Sequence, residues 1–334
     1  MKLSVIIPYY NAEKYIFTLL ESLQDQGFQK EDYEIIIIDD GSTNSVEDIR
    51  SYCARHNHLK YIWQENGRQS KARNNGISVA AGDYLFFCDA DDVIRRQSLC
   101  RLCSIATEKE LDILFFNRVI VTENEPIQSV NNVFTLDEIM TGQKYFGRNP
   151  DMSLGVGHFI ISKRFVEKNK LSYPEGILSV EDATFMINSL IVSSKVGYIN
   201  VDVYFWIQHA ESISHYEGKI KMAERYNNDR IWFVEKYNKI LKSKQLESSF
   251  ASSLKHQMEI QSFACLHNSL RYLSVKKTKE YIHRLKLIGE YPFGHYLTYS
   301  KPYMFINGVM NCYPVWISCC WLFSLLPTFI KRKF

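Results

Sequence analysis

Three short apolar runs restrict this chain more than any other feature. Residues 3–7, 33–38 and 84–87 are almost unbroken in Ile, Leu, Val, Phe and Tyr. A strand with one wet face alternates apolar and polar residues, whereas a continuous run of this length fits a strand covered on both faces. Between the runs the spacing turns helical. Ile16, Leu19, Leu20 and Leu23 share a face, as do Val46, Ile49 and Cys53, and then Ala72, Gly76, Val79 and Ala80. Leu59, Tyr61 and Trp63 alternate as a further strand, and residues 111–116 read as a fifth. Strand and helix in alternation predict an α/β fold: a mostly parallel, Rossmann-like sheet with flanking helices. Asn11 is expected to cap the first helix.

Ligands of such sheets bind beyond the carboxyl ends of the strands, and there the chain places acid. Asp39 and Asp40 follow the second run; Asp89, Asp91 and Asp92 follow the third. Carboxylates this close repel, so a positive group belongs among them. An all-oxygen cluster suits Mg²⁺ or Mn²⁺, with substrate phosphates completing the shell. The sequence has neither GxxxxGK[ST] nor GxGxxG after its first strand, which argues against an ATPase or a dinucleotide dehydrogenase.

Taken in order, "SVIIPYYNAEKYIFTLLESLQDQGFQKEDYEIIIIDDGS", "SKARNNGISVAAGDYLFFCDADD" and "YPEGILSVEDATF" resemble the family 2 glycosyltransferases of GT-A fold that build bacterial cell-surface polysaccharides. The motifs run over roughly residues 2–215. The resemblance implies a nucleotide-diphosphate sugar donor, most simply a UDP-hexose, a divalent metal and inversion at the anomeric carbon. It implies that Pro8 and Tyr10 frame the base, that Asp40 bonds uracil and that Arg73 lines the nucleotide pocket. Asp89 becomes the ribose-binding member of the DxD and a candidate metal ligand, and Asp91 the metal ligand proper. Asp92 takes a supporting or capping part. In "VEDATF", Asp182 matches the catalytic base, with Glu181 beside it. "YFWIQHAESISH" resembles the family's last motif, but His209 stands near the usual Arg or Lys, followed by Ser212 and Ser214. His158, in "GVGHFIISKRF", falls where the family often has a polar residue and is an acceptor-site candidate. The implied acceptor is a glycan or a lipid-linked oligosaccharide. Two rival readings are a sugar-nucleotide nucleotidyltransferase, which would want a Gly- and Lys/Arg-rich loop where "PYYNAEKY" stands, and a degenerate binding module without catalysis.

The rest of the chain differs in character. Residues 120–180 read as mixed strands and loops, residues 181–192 as a helix, and 196–199 and 203–207 as two strands. From Gly218 to about Gly289 the pattern is helical and basic. The expected division is a catalytic domain over 1–217 and a helical region over 218–334. Residues 1–218 carry 21 Lys and Arg against 30 Asp and Glu, a net of −9, and the remainder carries 19 against 7, a net of +12. The basic half suggests an anionic surface as partner, and no nucleic-acid recognition motif accompanies it. Residues 302–330 carry no charge and hold Trp316 and Trp321, with Lys331, Arg332 and Lys333 after them. The apolar run from Val315 is shorter than the roughly 20 residues that span a bilayer, so the expectation is an in-plane anchor on the inner face of the plasma membrane. Eight scattered cysteines follow no disulfide framework, with Cys103 in a helix core, and the opening residues do not read as a signal peptide, which together suggest a cytoplasmic setting.

Overall fold

The computed structural model describes residues 1–123, 125–128, 131–209, 216–292 and 309–324. It divides into two compact units. The first comprises Met1–Tyr145, Ser153–Ile177 and Glu181–Ala210; the second comprises Phe146–Met152, Leu178–Val180 and Glu211–Phe334.

In the first unit the apolar runs are central strands. β1 (Leu3–Tyr9) lies between β2 (Tyr33–Asp39) and β4 (Tyr84–Phe87), and β3 (Leu59–Trp63) joins β2, all four parallel. Helices α1 (Ile16–Gln24), α2 (Glu47–Ala54) and α3 (Arg68–Val79) connect them. α4 (Leu99–Glu108) follows β5 (Val93–Ile94) and buries Leu99, Leu102, Cys103 and Ala106. Ile6, Ile7, Ile36, Ile37, Phe86 and Phe87 are fully buried, as expected for strands covered on both faces.

Beyond β4 the sheet departs from the parallel pattern. β8 (Phe159–Ser162), followed by the short helix α6 (Lys163–Lys168), inserts antiparallel between β4 and β6 (Ile113–Thr122). It comes from the stretch whose periodicity was weakest, because a four-residue strand carries too few positions to show a period. The two strands expected at 196–199 and 203–207 are one strand, β9 (Val196–Gln208), parallel to β6, with β5 and β7 (Asn132–Leu136) antiparallel to it. Irregular register between β6 and β9 at Asn117 breaks the apolar pattern that suggested two pieces.

Asn11 does not cap α1. Its φ is 49°, and its Oδ1 accepts from the backbone N–H of Thr43 (2.9 Å) and Asn44 (3.1 Å). It ties the end of β1 to the loop after β2, a connection 31 residues or more away in sequence and so invisible to local spacing.

The second unit contains α5 (Gly142–Arg148) in part and the long pair α8 (Tyr216–Ser243) and α9 (Ser248–Tyr272). A buried amide network joins that pair: Asn227 Nδ2 donates to Ser269 Oγ (2.8 Å), and Asn268 Nδ2 donates to Asn227 Oδ1 (2.9 Å). α10 (Val275–Ile288) starts at the Ser274 cap and stops at Gly289, whose φ of 87° suits a residue without a Cβ. α11 (Tyr313–Ser324) turns Trp316 inward at 2% exposure, while Val315, Trp321 and Leu322 stay 45–57% exposed. Only one of the two tryptophans expected at a lipid surface is therefore available. Among the described residues no helix is long and apolar enough to cross a membrane.

Candidate active site

The register of β1 with β2 and β4 sets Pro8 beside Ile38 and Ile6 beside Phe87. Pro8–Tyr10, Asp39–Asp40 and Asp89 thus emerge side by side at one edge of the sheet, Tyr10 half exposed and Asp40 buried. The Asp40 carboxylate accepts from Gln64 Nε2 (2.7 Å) and from the backbone N–H of Gly67 (2.8 Å) and Arg68 (2.6 Å). It pins the loop that begins α3. Asp39 accepts from the Ser42 N–H (2.9 Å) and from the Tyr61 hydroxyl.

α3 lies hard on the sheet because Gly76 has no side chain: a Cβ there would stand 2.3 Å from Ile6 Cγ2. Arg73, one turn earlier on the same face, is brought to the strand ends with 1% of its side chain exposed. Its Nη2 donates to Asp89 Oδ1 (2.9 Å) and its Nη1 to Asp182 Oδ1 (2.7 Å). The guanidinium lies 5.2 Å from the centroid of Tyr173, whose ring stacks on Phe185 at 4.2 Å. Burial works to discharge Arg73, and Asp182 and Asp89 more than offset it, so the cation is held above its ordinary range. The positive group that the acidic strand end called for is, first of all, this arginine.

Asp182 and Glu181 open α7 (Glu181–Val192). Burial and the neighbouring Asp182 push Glu181 up to about 8. Asp182 is also raised by burial, with Arg73 opposing the shift.

At the other end of the cluster, the Tyr204 hydroxyl accepts from the Asp89 N–H (3.1 Å) and donates to the Asp92 carboxylate, which also accepts from the Ile207 N–H (2.9 Å). Asp92 therefore fastens the DxD turn to β9 and caps no helix. His209 sets Nε2 at 3.1 Å from the Asp91 carbonyl oxygen and Nδ1 at 3.2 Å from Glu123 Oε1, with its ring 4.2 Å from that of Tyr15. His158 is buried, its ring nitrogens 3.0 Å from the Ser153 carbonyl and 3.3 Å from that of Val156; burial, with Arg118 adding, pushes it down to about 4. Ser212 and Ser214 lie outside the described residues.

Sequence reasoning did not single out Tyr173, Tyr204 or Glu123. Tyr173 stood inside a recognised motif, "YPEG", and could have been noticed there; the other two act through contacts that no spacing encodes.

Among the described residues no three His, Cys, Asp or Glu side chains form a ready metal cage. The donors still fit a divalent ion completed by a substrate. Asp89 and Asp91 are hard oxygen ligands, and Asp91 is raised by burial and by Asp89, a repulsion that a cation relieves.

Residues 4–169, about half the chain, match the model of glycosyl transferase family 2. The chain belongs to that family. It is 29% identical over 213 residues to the poly(ribitol-phosphate) beta-glucosyltransferase of Bacillus spizizenii, covering 62% of this chain and 32% of that one. With EpsJ of Bacillus subtilis, an uncharacterized glycosyltransferase, it shares 30% over 66% of this chain and 65% of the other. The crystal structure of Staphylococcus aureus TarS 1–349 in complex with UDP-GlcNAc superposes with a TM-score of 0.66 at 22% identity, over 87% of this chain and 81% of that one. The fold is GT-A, as the family motifs implied. This chain spans about a third of the length of the Bacillus spizizenii relative.

Proposed function

We propose that this family 2 chain transfers a hexose-type sugar from a UDP-linked donor to a cell-surface polysaccharide or its lipid-linked precursor. One observation carries the reading: Arg73 bonds Asp89 of the DxD and Asp182 of the second acidic motif at once. That clamp holds a donor-side and an acceptor-side carboxylate at a fixed separation. The relatives that act on poly(ribitol-phosphate) and the UDP-GlcNAc complex of TarS support the substrate classes.

The reaction is a single displacement with inversion. The acceptor oxygen bonds to the anomeric carbon, the carbon–oxygen bond to the diphosphate breaks, and UDP departs. Asp182 takes the acceptor proton. Its Oδ1 faces Arg73, which opposes the upward shift that burial imposes, and its Oδ2 is assigned to the hydroxyl. Glu181, raised to about 8, is mostly protonated at neutral pH and is the poorer base. Asp91 and Asp89 would hold Mn²⁺ or Mg²⁺, which when bound supplies charge for the leaving diphosphate. Pro8 and Tyr10 frame the base, and Asp40 offers uracil its remaining lone pair while holding the Gly67–Arg68 turn. His209 holds the Asp91 backbone, and Ser212, outside the described residues, keeps the diphosphate role that the family motif implies. His158, whose two nitrogens both face backbone carbonyls, supports the loop beside the acceptor side.

The test is hydrolysis of a UDP-sugar panel with Mn²⁺, read as released UDP. Slow release from one UDP-hexose, abolished by EDTA, is expected. Failure both to bind and to hydrolyse every UDP-sugar of the panel would overturn the reading.

The second unit serves placement at a membrane. The outward Val315, Trp321 and Leu322 of α11 and the net +12 of the chain's second part support docking on anionic lipid from the cytoplasmic side. Full-length protein should pellet with phosphatidylserine vesicles, and a chain ending at Lys301 should do so far less; equal pelleting removes lipid docking from the proposal.

A further inference from the structure

Two arginines act on Asp182, and only one is neutralised. Arg73 is paired with two carboxylates. Arg118, on β6, is half-buried, and among the described residues no carboxylate pairs with it. Its guanidinium lies 5.0 Å from the centroid of Trp206 on the neighbouring strand. The β6–β9 register slips just before Arg118 and then sets it opposite Tyr204, the residue that fastens the DxD turn. Such irregularities re-aim a side chain. The chain then leaves room for it: a Cβ on Gly155 would stand 3.0 Å from Arg118 Nη1. The charge of Arg118 is felt at the site, since it works to lower both Asp182 and His158.

A partly buried cation without a counter-ion is costly unless something supplies one. Asp182 is near enough to feel the charge of Arg118, yet among the described residues the two form no ion pair. A planar guanidinium laid on an aromatic ring is suited to grip a phosphate through two N–H bonds. We propose that Arg118, held over the Trp206 ring, binds a phosphate group of the substrates beside Asp182. The group belongs either to the donor diphosphate or to a phosphate-bearing acceptor. In the first case Arg118 supplies the cation that the family's last motif lacks here, where His209 stands. The inference rests on the sugar-nucleotide reading above for the choice of ligand, and the experiment separates the two.

Calorimetry with Mn²⁺ present, on wild type and Arg118→Met, uses three titrants: UDP, inorganic phosphate added to UDP-saturated protein, and pyrophosphate alone. Arg118→Met is expected to weaken pyrophosphate by about tenfold or more, the usual scale for a charge-assisted hydrogen-bonded pair. A matching loss for UDP assigns the donor diphosphate. A loss confined to phosphate on the UDP complex assigns an acceptor phosphate. Arg118→Lys keeps the charge without the flat fork and should fall between. Should Arg118→Met not fold, Arg118→Gln carries the same comparison. Wild-type affinity for every titrant in the variant, even with a lower melting temperature, reduces Arg118 to a structural part and overturns the proposal. Wild-type protein that binds pyrophosphate but not UDP overturns the sugar-nucleotide reading and leaves pyrophosphate affinity to decide on Arg118.

Discussion

Two buried strands of this chain end in paired aspartates, and the fold uses the pairs differently. Asp39 and Asp40, after β2, face inward to donors: the Ser42, Gly67 and Arg68 amides, the Tyr61 hydroxyl and the Gln64 amide. Asp89, after β4, meets the Arg73 guanidinium that it shares with Asp182, and Asp91 beside it feels the repulsion of Asp89. The first pair holds a loop, with the remaining Asp40 lone pair assigned to uracil in the proposed function. The second leaves negative charge uncompensated at a strand end, which is what a metal–diphosphate site requires. The same dipeptide chemistry in the same kind of position therefore says nothing about role until the donors around it are known.

The sharpest way to break this contrast is to remove one carboxylate from each side. Asp182→Asn, across the clamp from Asp89, should lower transfer by roughly 10²–10⁴-fold, the usual worth of a general base, with UDP affinity retained. A full loss in Glu181→Gln with an active Asp182→Asn would move the base to the other carboxylate. Asp91→Asn should cost on the order of 10²–10³-fold in turnover, as for loss of one electrostatic stabiliser, and EDTA should silence the wild type until Mn²⁺ or Mg²⁺ is restored. A mild effect of Asp91→Asn would pass the ligand role to Asp89.

Asp39→Ala should do the opposite. It leaves the part-buried Tyr61 hydroxyl and Ser42 amide without that acceptor, for a stability loss of about 1 kcal/mol, while activity per folded molecule stays within a few-fold. Urea unfolding and active-site titration separate the two outcomes. A dead but stable Asp39→Ala would erase the distinction between the strand ends.

The smallest expected effect concerns pH. Glu181 titrates near 8 in the folded chain, above its ordinary value of 4.5. The folded state thus binds the proton more tightly than the unfolded state, and stability from this group is full below about 4.5 and falls as pH rises toward 8. Glu181→Gln should flatten that limb of the stability–pH curve and gain on wild type with rising pH. Parallel curves for the two proteins would mean that Glu181 is not held neutral.

Much of this was legible in one dimension. The continuous apolar runs specified β1, β2 and β4, because strands covered on both faces are mostly apolar, the buried polar pair Ser4 and Glu34 bonding to each other, and helical spacing specified α1, α3 and α7 for the corresponding reason. The order of the motifs identified the family, and the charge imbalance marked the second part of the chain as different in kind. Tertiary structure decided the rest. Arg73 and Asp182 are separated by 109 residues and Asp92 and Tyr204 by 112, and no period or spacing carries such a pairing. It was likewise the fold that inserted β8 antiparallel, turned Asn11 from a cap into a loop tie, and buried Trp316 while exposing Trp321. Local sequence fixes which face of an element is apolar. What charge a carboxylate meets depends on the desolvation and partners that only packing provides.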